Sequence, residues 1–313
     1  MIQVGIVGSL TAIRKHTDAL RQIQDIRITG CWITGDDEGP VTDAETGERY
    51  TSAGSVIGNA DALIIDAGGD FCLDLAIAGL RTARHVFLYP ATLQSVSKAS
   101  HLIKLAREAG VILRAGKTGN YNVRGLMEAL RDRADINMIE LQHDYKVTDH
   151  DSRNGIHGAL LADLEVISSL VGARVISIKA KGHCMLSSEP DIINARLEFD
   201  NGCAVNYNCS LVATMNEFLG TLVLRNRVLK YDFITGELTS SSVQQAPYSE
   251  DEPIFIERVR VDSTDTLTSE LTDFFGLIRS GPAFLSIYEN GFEPYLLADR
   301  ILEKVMKTLV RCS

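Results

Sequence analysis

Val4-Gly-Ile-Val-Gly-Ser-Leu-Thr-Ala-Ile-Arg-Lys-His16 carries a run of buried-type, β-branched residues through a Gly-Ser turn directly into a helical pattern, which is how a parallel α/β sheet begins. The same rhythm continues to about Arg133. Strands are expected at 3–7, 27–33, 62–66, 85–88 and 111–115, with amphipathic helices at about 12–23, 70–82, 95–108 and 122–131. Gly110 stands where the helix before the last of these strands must stop. Strand and helix in strict alternation predict βαβ units and a doubly wound parallel sheet.

From about Met138 the pattern changes to longer strand candidates joined by tight turns. Residues 191–199, the turn Asp200-Asn201-Gly202 and residues 203–212 form a hairpin signature. Further strands are expected at 139–147, 173–181, 219–224 and 254–261, one helix at 159–170, and two closing helices at 269–279 and 293–309. The Ser240-Ser-Ser-Val-Gln-Gln-Ala246 patch reads as a mobile loop. This half is α+β, built on a mostly antiparallel open sheet. The expected division is 1–120 and 121–313, with the last helices packing back on the first domain.

Composition narrows the function classes. The chain has 313 residues, 45% hydrophobic and 23% charged, values of an ordinary globular protein of about two domains. A formal charge of −10 repels a phosphate backbone, so nucleic acid is not an expected partner. No run approaches the roughly 20 apolar residues of a bilayer span. The first residues lack a basic n-region and a cleavage site, so no membrane partner and a cytoplasmic location are expected. Six cysteines stand without paired spacing, and the clusters Gln142-His-Asp144 and His150-Asp-Ser-Arg153 have metal-ligand types but not metal-ligand spacing, so no metal is expected.

The chemistry starts at the glycine turn. A full Gly-x-Gly-x-x-Gly uses its glycines for the turn, for approach of the diphosphate and for helix packing; here those positions read Gly8, Leu10 and Ile13. The helix start, with Gly8, Ser9, Leu10, Thr11 and Ala12, still presents backbone amides to an anion, while the Cβ of Leu10 crowds it. The second strand ends in Ile33 and Thr34, without the usual ribose-binding carboxylate. Asp36 or Asp37 reaches back to supply one, or both are a solvated loop. Asp66-Ala67-Gly68-Gly69 places small residues at a strand end where ligands bind or where a plain strand-to-helix turn is made. Lys117, within Arg114-Ala-Gly-Lys-Thr-Gly-Asn-Tyr121, follows the fifth strand, as either a ligand-binding lysine or a solvated one; Val111 replaces the glycine that a phosphate loop requires.

These residues resemble the glucose-fructose oxidoreductase and inositol dehydrogenase family, Gfo/Idh/MocA. The likeness rests on Val4 to His16, on Asp61-Ala-Leu-Ile-Ile-Asp-Ala-Gly-Gly-Asp70 with Ala76 to Val86, on Asn194 to Ala204, on Phe233-Ile-Thr-Gly-Glu-Leu238, on the helix Ser269 to Ser280, and above all on their order. The resemblance implies a Rossmann-type dinucleotide-binding first domain, a second domain for substrate and oligomerisation, NAD or NADP as cofactor, oxidation or reduction of a sugar, polyol or similar small molecule, and a homo-oligomer assembled through the open sheet. An open sheet with a bare apolar face would itself favour such assembly. The family's Glu-Lys-Pro turn is matched by Leu88-Tyr89-Pro90, with Pro90 kept and Tyr89 in place of the Glu-Lys pair. Tyr89 is then an acid or base, or a buried aromatic with a satisfied hydroxyl. The family's catalytic histidine is matched by His157 in Gly155-Ile-His157; in a second register Ala162 takes that place and the histidine is absent.

Two functions follow. One is a NAD(P)-dependent oxidoreductase in which His157, with Lys117 or Tyr89, handles the proton. The other is a non-catalytic relative that binds a metabolite or serves assembly, as joint loss of the second glycine, the ribose carboxylate and the Glu-Lys pair would leave it.

Overall fold

Hydrophobic strands buried on both faces build the first sheet. A computed structural model describes residues 1–34, 39–40, 52–67, 70–89, 96–117, 121, 123–130, 136–146, 155–186, 188–243, 254–261, 266–281 and 291–311. In chain order the first elements are β1 (Ile2–Gly8), α1 (Leu10–Leu20), β2 (Ile26–Ile33), β3 (Gly39–Pro40), α2 (Ala53–Gly58), β4 (Ala62–Asp66), α3 (Asp70–Arg81), β5 (His85–Leu88), α4 (Val96–Ala109) and β6 (Leu113–Ala115). The sheet order is β3-β2-β1-β4-β5-β6, parallel throughout except for the short edge strand β3. Val4, Ile6, Leu63, Ile64, Ile65, Val86 and Phe87 are fully buried, as a sheet covered on both faces requires. From β1 the chain moves outward to β2 and then crosses to β4 on the other side. The strand order therefore reverses between β1 and β4, which defines a ligand crevice at their carboxyl ends.

The remaining elements are α5 (Val123–Leu130), β7 (Ile136–Lys146), α6 (Gly155–Val171), β8 (Val175–Cys184), β9 (Ile192–Phe199), β10 (Ala204–Ala213), β11 (Glu217–Leu224), β12 (Arg227–Asp232), β13 (Glu237–Val243), β14 (Ile254–Arg260), α7 (Thr266–Ser280), α8 (Glu293–Lys307) and β15 (Val310–Arg311). Their sheet runs β14-β13-β12-β11-β7-β10-β9-β8-β15, antiparallel except at the β7–β10 and β8–β15 pairs. Gly202, at φ 87°, makes the tight β9–β10 turn. One unit comprises residues 1–118 and 265–296, the other 119–264 and 297–313. Both closing helices were expected in the sequence; α7 belongs to the first unit.

One expectation is corrected. Ser240, Ser241 and Ser242 are not loop: they lie in β13, hydrogen-bonded to β12 on one side and β14 on the other. Serine backbone groups serve a ladder as well as any others, and buried Leu238 anchors the strand. The outward face of the second sheet mixes polar side chains with exposed apolar ones such as Leu219. It carries Glu140, Gln142, Asn194, Arg196, Asn206 and Asn208, laced by Asn194 Nδ2 to Asn208 Oδ1 at 2.7 Å and Arg196 Nη1 to Asn206 Oδ1 at 2.8 Å. The opposite face, covered by α6, holds Leu141, Tyr207, Leu222 and Leu229 in the core.

Candidate functional site

In the first unit, chemistry gathers at the carboxyl edge of the parallel sheet. Gly8 ends β1 beside Asp66 at the end of β4. A Cβ on Gly8 would stand 2.6 Å from the Asp66 carbonyl oxygen, so glycine is required here by the neighbouring backbone. Ser9 caps α1, its hydroxyl accepting the Ala12 amide at 3.2 Å. The amides of Leu10 and Thr11, in the first turn, have no intrahelical acceptor. Leu10 itself is 38% exposed, so its side chain is not locked into the core.

The sequence did not single out what stands next to this turn. His16, fully buried on α1, places Nε2 2.8 Å from Asp66 Oδ2, while its Nδ1 is buried without a hydrogen-bond partner among the described residues. Its ring meets that of Tyr89 edge-on at 5.1 Å, and Lys15 Nζ lies 5.8 Å from the Tyr89 ring centre. Hence Asp66 and Tyr89, both expected site residues, share His16 as a neighbour. Lys117 follows β6, and its amide donates to Glu270 Oε2 on α7 at 3.3 Å. Burial pushes the Glu270 carboxyl above its ordinary value, against the opposing pull of Lys117, Arg114 and Lys15. Ala67 is half-buried at the end of the same edge, while Gly68, Gly69, Pro90 and the acids at 36 and 37 lie outside the described residues.

In the second unit His157 occupies the first turn of α6, half exposed, with Nε2 3.7 Å from Asp299 Oδ1. Ala162, the alternative position, is buried in the middle of the same helix. The unit's densest polar cluster lies elsewhere. Asp163, fully buried on α6, accepts from His143 Nδ1 on β7 at 2.7 Å and from the Tyr207 hydroxyl on β10 at 2.7 Å. The His143 ring is held between Tyr145 and Phe218, each 4.0 Å away and stacked. Its Nε2 lies 3.4 Å from the Tyr121 hydroxyl, which also bonds with Tyr145. Burial first, and then the Asp163 charge, push the Tyr121 hydroxyl up to about 12 and raise Tyr145 further. Burial likewise holds the Asp163 carboxyl above its ordinary value, opposed by its bonds with His143 and Tyr207.

Among the described residues, no three His, Cys, Asp or Glu side chains gather to hold a metal ion, and no helix is long and apolar enough to cross a membrane.

No family profile matches the chain, and no curated protein is recognisably similar to it in sequence. Solved structures are similar in fold. The UDP-N-acetylglucosamine 3-dehydrogenase GnnA from Acidithiobacillus ferrooxidans aligns with a TM-score of 0.78 at 16% identity, over 98% of each chain. A candidate NADPH-dependent oxidoreductase from Desulfitobacterium hafniense gives 0.77 at 14% identity, over 98% of this chain and 96% of that one. A candidate myo-inositol dehydrogenase from Sinorhizobium meliloti gives 0.71 at 15%, over 98% of each. The expected architecture, a Rossmann-type parallel sheet followed by a mostly antiparallel one, is the Gfo/Idh/MocA two-domain fold, and the resemblance read from the sequence holds at the level of that fold.

Proposed function

We propose that the chain is a NAD(P)-dependent oxidoreductase acting on a sugar, polyol or similar hydroxylated small molecule. The observation that carries the reading is the edge of the parallel sheet, where Gly8 and Asp66 end β1 and β4 at the strand-order reversal and Tyr89 and Lys117 follow β5 and β6. The residues present fit a dinucleotide's diphosphate. Gly8 allows the tight turn, the Leu10 and Thr11 amides are available to an anion, and the exposed Leu10 side chain can turn aside without opening a core cavity. Lys15 adds positive charge, and His16 holds the Asp66 carboxylate to itself.

The nicotinamide, when bound, supplies the hydride acceptor or donor. Gly8, Ser9, Leu10, Thr11 and Ala12 are assigned to the diphosphate, and Asp66, Ala67, Gly68, Gly69 and Pro90 to binding the rest of the cofactor. Tyr89, Lys117 and His157 are the candidates for holding the substrate oxygen and its proton. Support for a hydroxylated substrate comes from the relatives in fold, named for a UDP-sugar dehydrogenase and a myo-inositol dehydrogenase. Association of copies through the second sheet belongs to the same proposal. The outward face offers it both hydrogen-bonding groups such as Arg196 and exposed apolar ones such as Leu219.

Calorimetric titration with NADH and NADPH tests the assignment. Binding of one of them at or below about 1 mM is expected, tightened in Leu10→Gly, which restores the approach of the backbone. Absence of binding in both variants overturns it. A second reading, a non-catalytic ligand-binding or assembly module, is favoured by Leu10 at the second glycine position and by the burial of Ala162. That outcome would leave it in place.

A further inference from the structure

The edge strand β6 of the first sheet is three residues long, Leu113–Ala115. Its ladder to β5 opens with the Val86 amide donating to the Ile112 carbonyl at 2.8 Å and closes with the Gly116 amide donating to the Leu88 carbonyl at 2.9 Å. One bond at the amino end is of another kind. Ile112, a buried residue, donates its backbone N–H to Nδ1 of His85, the first residue of β5, at 2.9 Å. A side chain thus satisfies a buried amide that a strand partner's carbonyl would ordinarily accept. An imidazole nitrogen accepts only while it carries no proton, so the ring is neutral with its hydrogen on Nε2. Protonation would set an N–H on Nδ1 against the Ile112 N–H and turn attraction into repulsion. The other bonds of the ladder join backbone groups, which do not titrate.

We propose that His85 is an acid-operated latch on β6, holding the amino end of the strand to the sheet while neutral and releasing it on taking a proton. β6 carries Arg114 and leads into Lys117 at the carboxyl edge, so release loosens the strand from which Lys117 is presented. The latch does not depend on the oxidoreductase reading. Burial lowers the His85 ring from its ordinary value of 6.5, and the Asp61 charge opposes this. Among the described residues Asp61, in the turn before β4, is the charged group that bears on the ring, and its Oδ2 already accepts the Gln3 amide at 2.9 Å. Arg84, beside His85 in the chain, directs Nη2 to the Gly58 carbonyl at 3.2 Å. Folding therefore favours the neutral ring. Its contribution is complete above 6.5 and is lost as pH falls from there through the lowered value.

Hydrogen exchange of the full chain, followed by NMR from about pH 7.5 to about pH 5, spans the range in which an imidazole titrates. Divided by its intrinsic exchange rate, protection of the Ile112 amide should fall about tenfold per pH unit below about pH 6.5, as one-proton linkage requires. Leu63 of β4, a strand paired on both sides, should keep its protection. His85→Asn places a non-titrating oxygen at the position of Nδ1, and its Ile112 amide should stay protected across the range. Ile112 protection that runs parallel to that of Leu63 in the wild type, or that falls as steeply in His85→Asn, overturns the latch. The tautomer gives a reading that needs no variant. In ¹⁵N-histidine NMR at about pH 7.5, well above the ordinary imidazole value, His85 should show a protonated Nε2 and a bare Nδ1. A proton on Nδ1 there overturns the proposal whether or not the variant folds.

Discussion

The Tyr207 hydroxyl donates 2.7 Å to the fully buried Asp163, and removing it has opposite consequences depending on whether the carboxylate is there. In the wild type, Tyr207→Phe deletes one of two short bonds to a charged acceptor that water cannot reach. A hydrogen bond to a charged group contributes about 1.5–3 kcal/mol, so a loss of that order is expected. In the Asp163→Leu background the same hydroxyl keeps only the weakly accepting Cys209 thiol as a neighbour, and a buried donor so poorly satisfied costs about 1–3 kcal/mol. Removing it there should stabilise the protein. The two effects have different signs, so the coupling between the sites should exceed about 2 kcal/mol, large for a contacting pair. Sign reversal is the safer quantity, because the desolvation relieved by Asp163→Leu appears in both members of that background and cancels. Thermal unfolding of the four proteins reads it directly: about 1 kcal/mol moves Tm by roughly 2–4 °C in a unit of this size. Tyr207→Phe should therefore lower Tm by several degrees in the wild type and raise it in the Asp163→Leu background. An equal drop in both would mean that the hydroxyl contributes by packing and that the 2.7 Å bond carries no energy.

Gly8→Ala should destabilise by about 1–3 kcal/mol, because the new methyl meets the Asp66 carbonyl oxygen, which the strand pairing keeps from withdrawing; chemical denaturation measures it, and a change below about 0.5 kcal/mol would refute the steric account. Glu270 is raised chiefly by burial, so its folded carboxyl ionises later than the unfolded one. Its contribution is complete below the ordinary carboxylate value of 4.5 and is lost as pH climbs through the raised one. Glu270→Gln should remove that decline, so its Tm relative to wild type should rise between about pH 4 and about pH 8; a constant difference across that range would show that Glu270 is not raised.

How much of this was legible follows from the range of the forces involved. The parallel sheet could be read because its strands are short apolar runs between helices with one apolar stripe, a pattern set by nearest neighbours in sequence. The strand β13 was not legible, since among its described side chains only Leu238 carries a buried apolar signal, and its three serines pair through backbone atoms that every residue has. Helix α2 escaped for a related reason: six residues held by a reciprocal Ser52–Ser55 cap have too few apolar positions to show a period. Pairings such as His16 with Asp66, 50 residues apart, depend on where the sheet order reverses. Nothing in either segment alone announces them.

His143 and Asp163 differ from that case, because each violates its own local pattern. His143 falls at an inward position of β7, two residues after buried Leu141, where period-2 alternation calls for an apolar side chain. Asp163 interrupts a helix in which Leu160, Leu161, Leu164, Val166 and Ile167 are all buried, so no rotation of that helix could return the carboxylate to water. A charge confined in this way must have a partner. The inward histidine of the strand is the natural candidate, and α6 follows β7 in the chain. The pair was therefore available to a reading that asked what each misplaced polar residue needs, whereas a search by metal-ligand spacing passed over Gln142-His-Asp144 because its members face opposite sides of the strand. The motif search looked for the family's lysine and histidine at Tyr89 and His157. The burial pattern points instead to residues whose presence in the core has to be explained chemically.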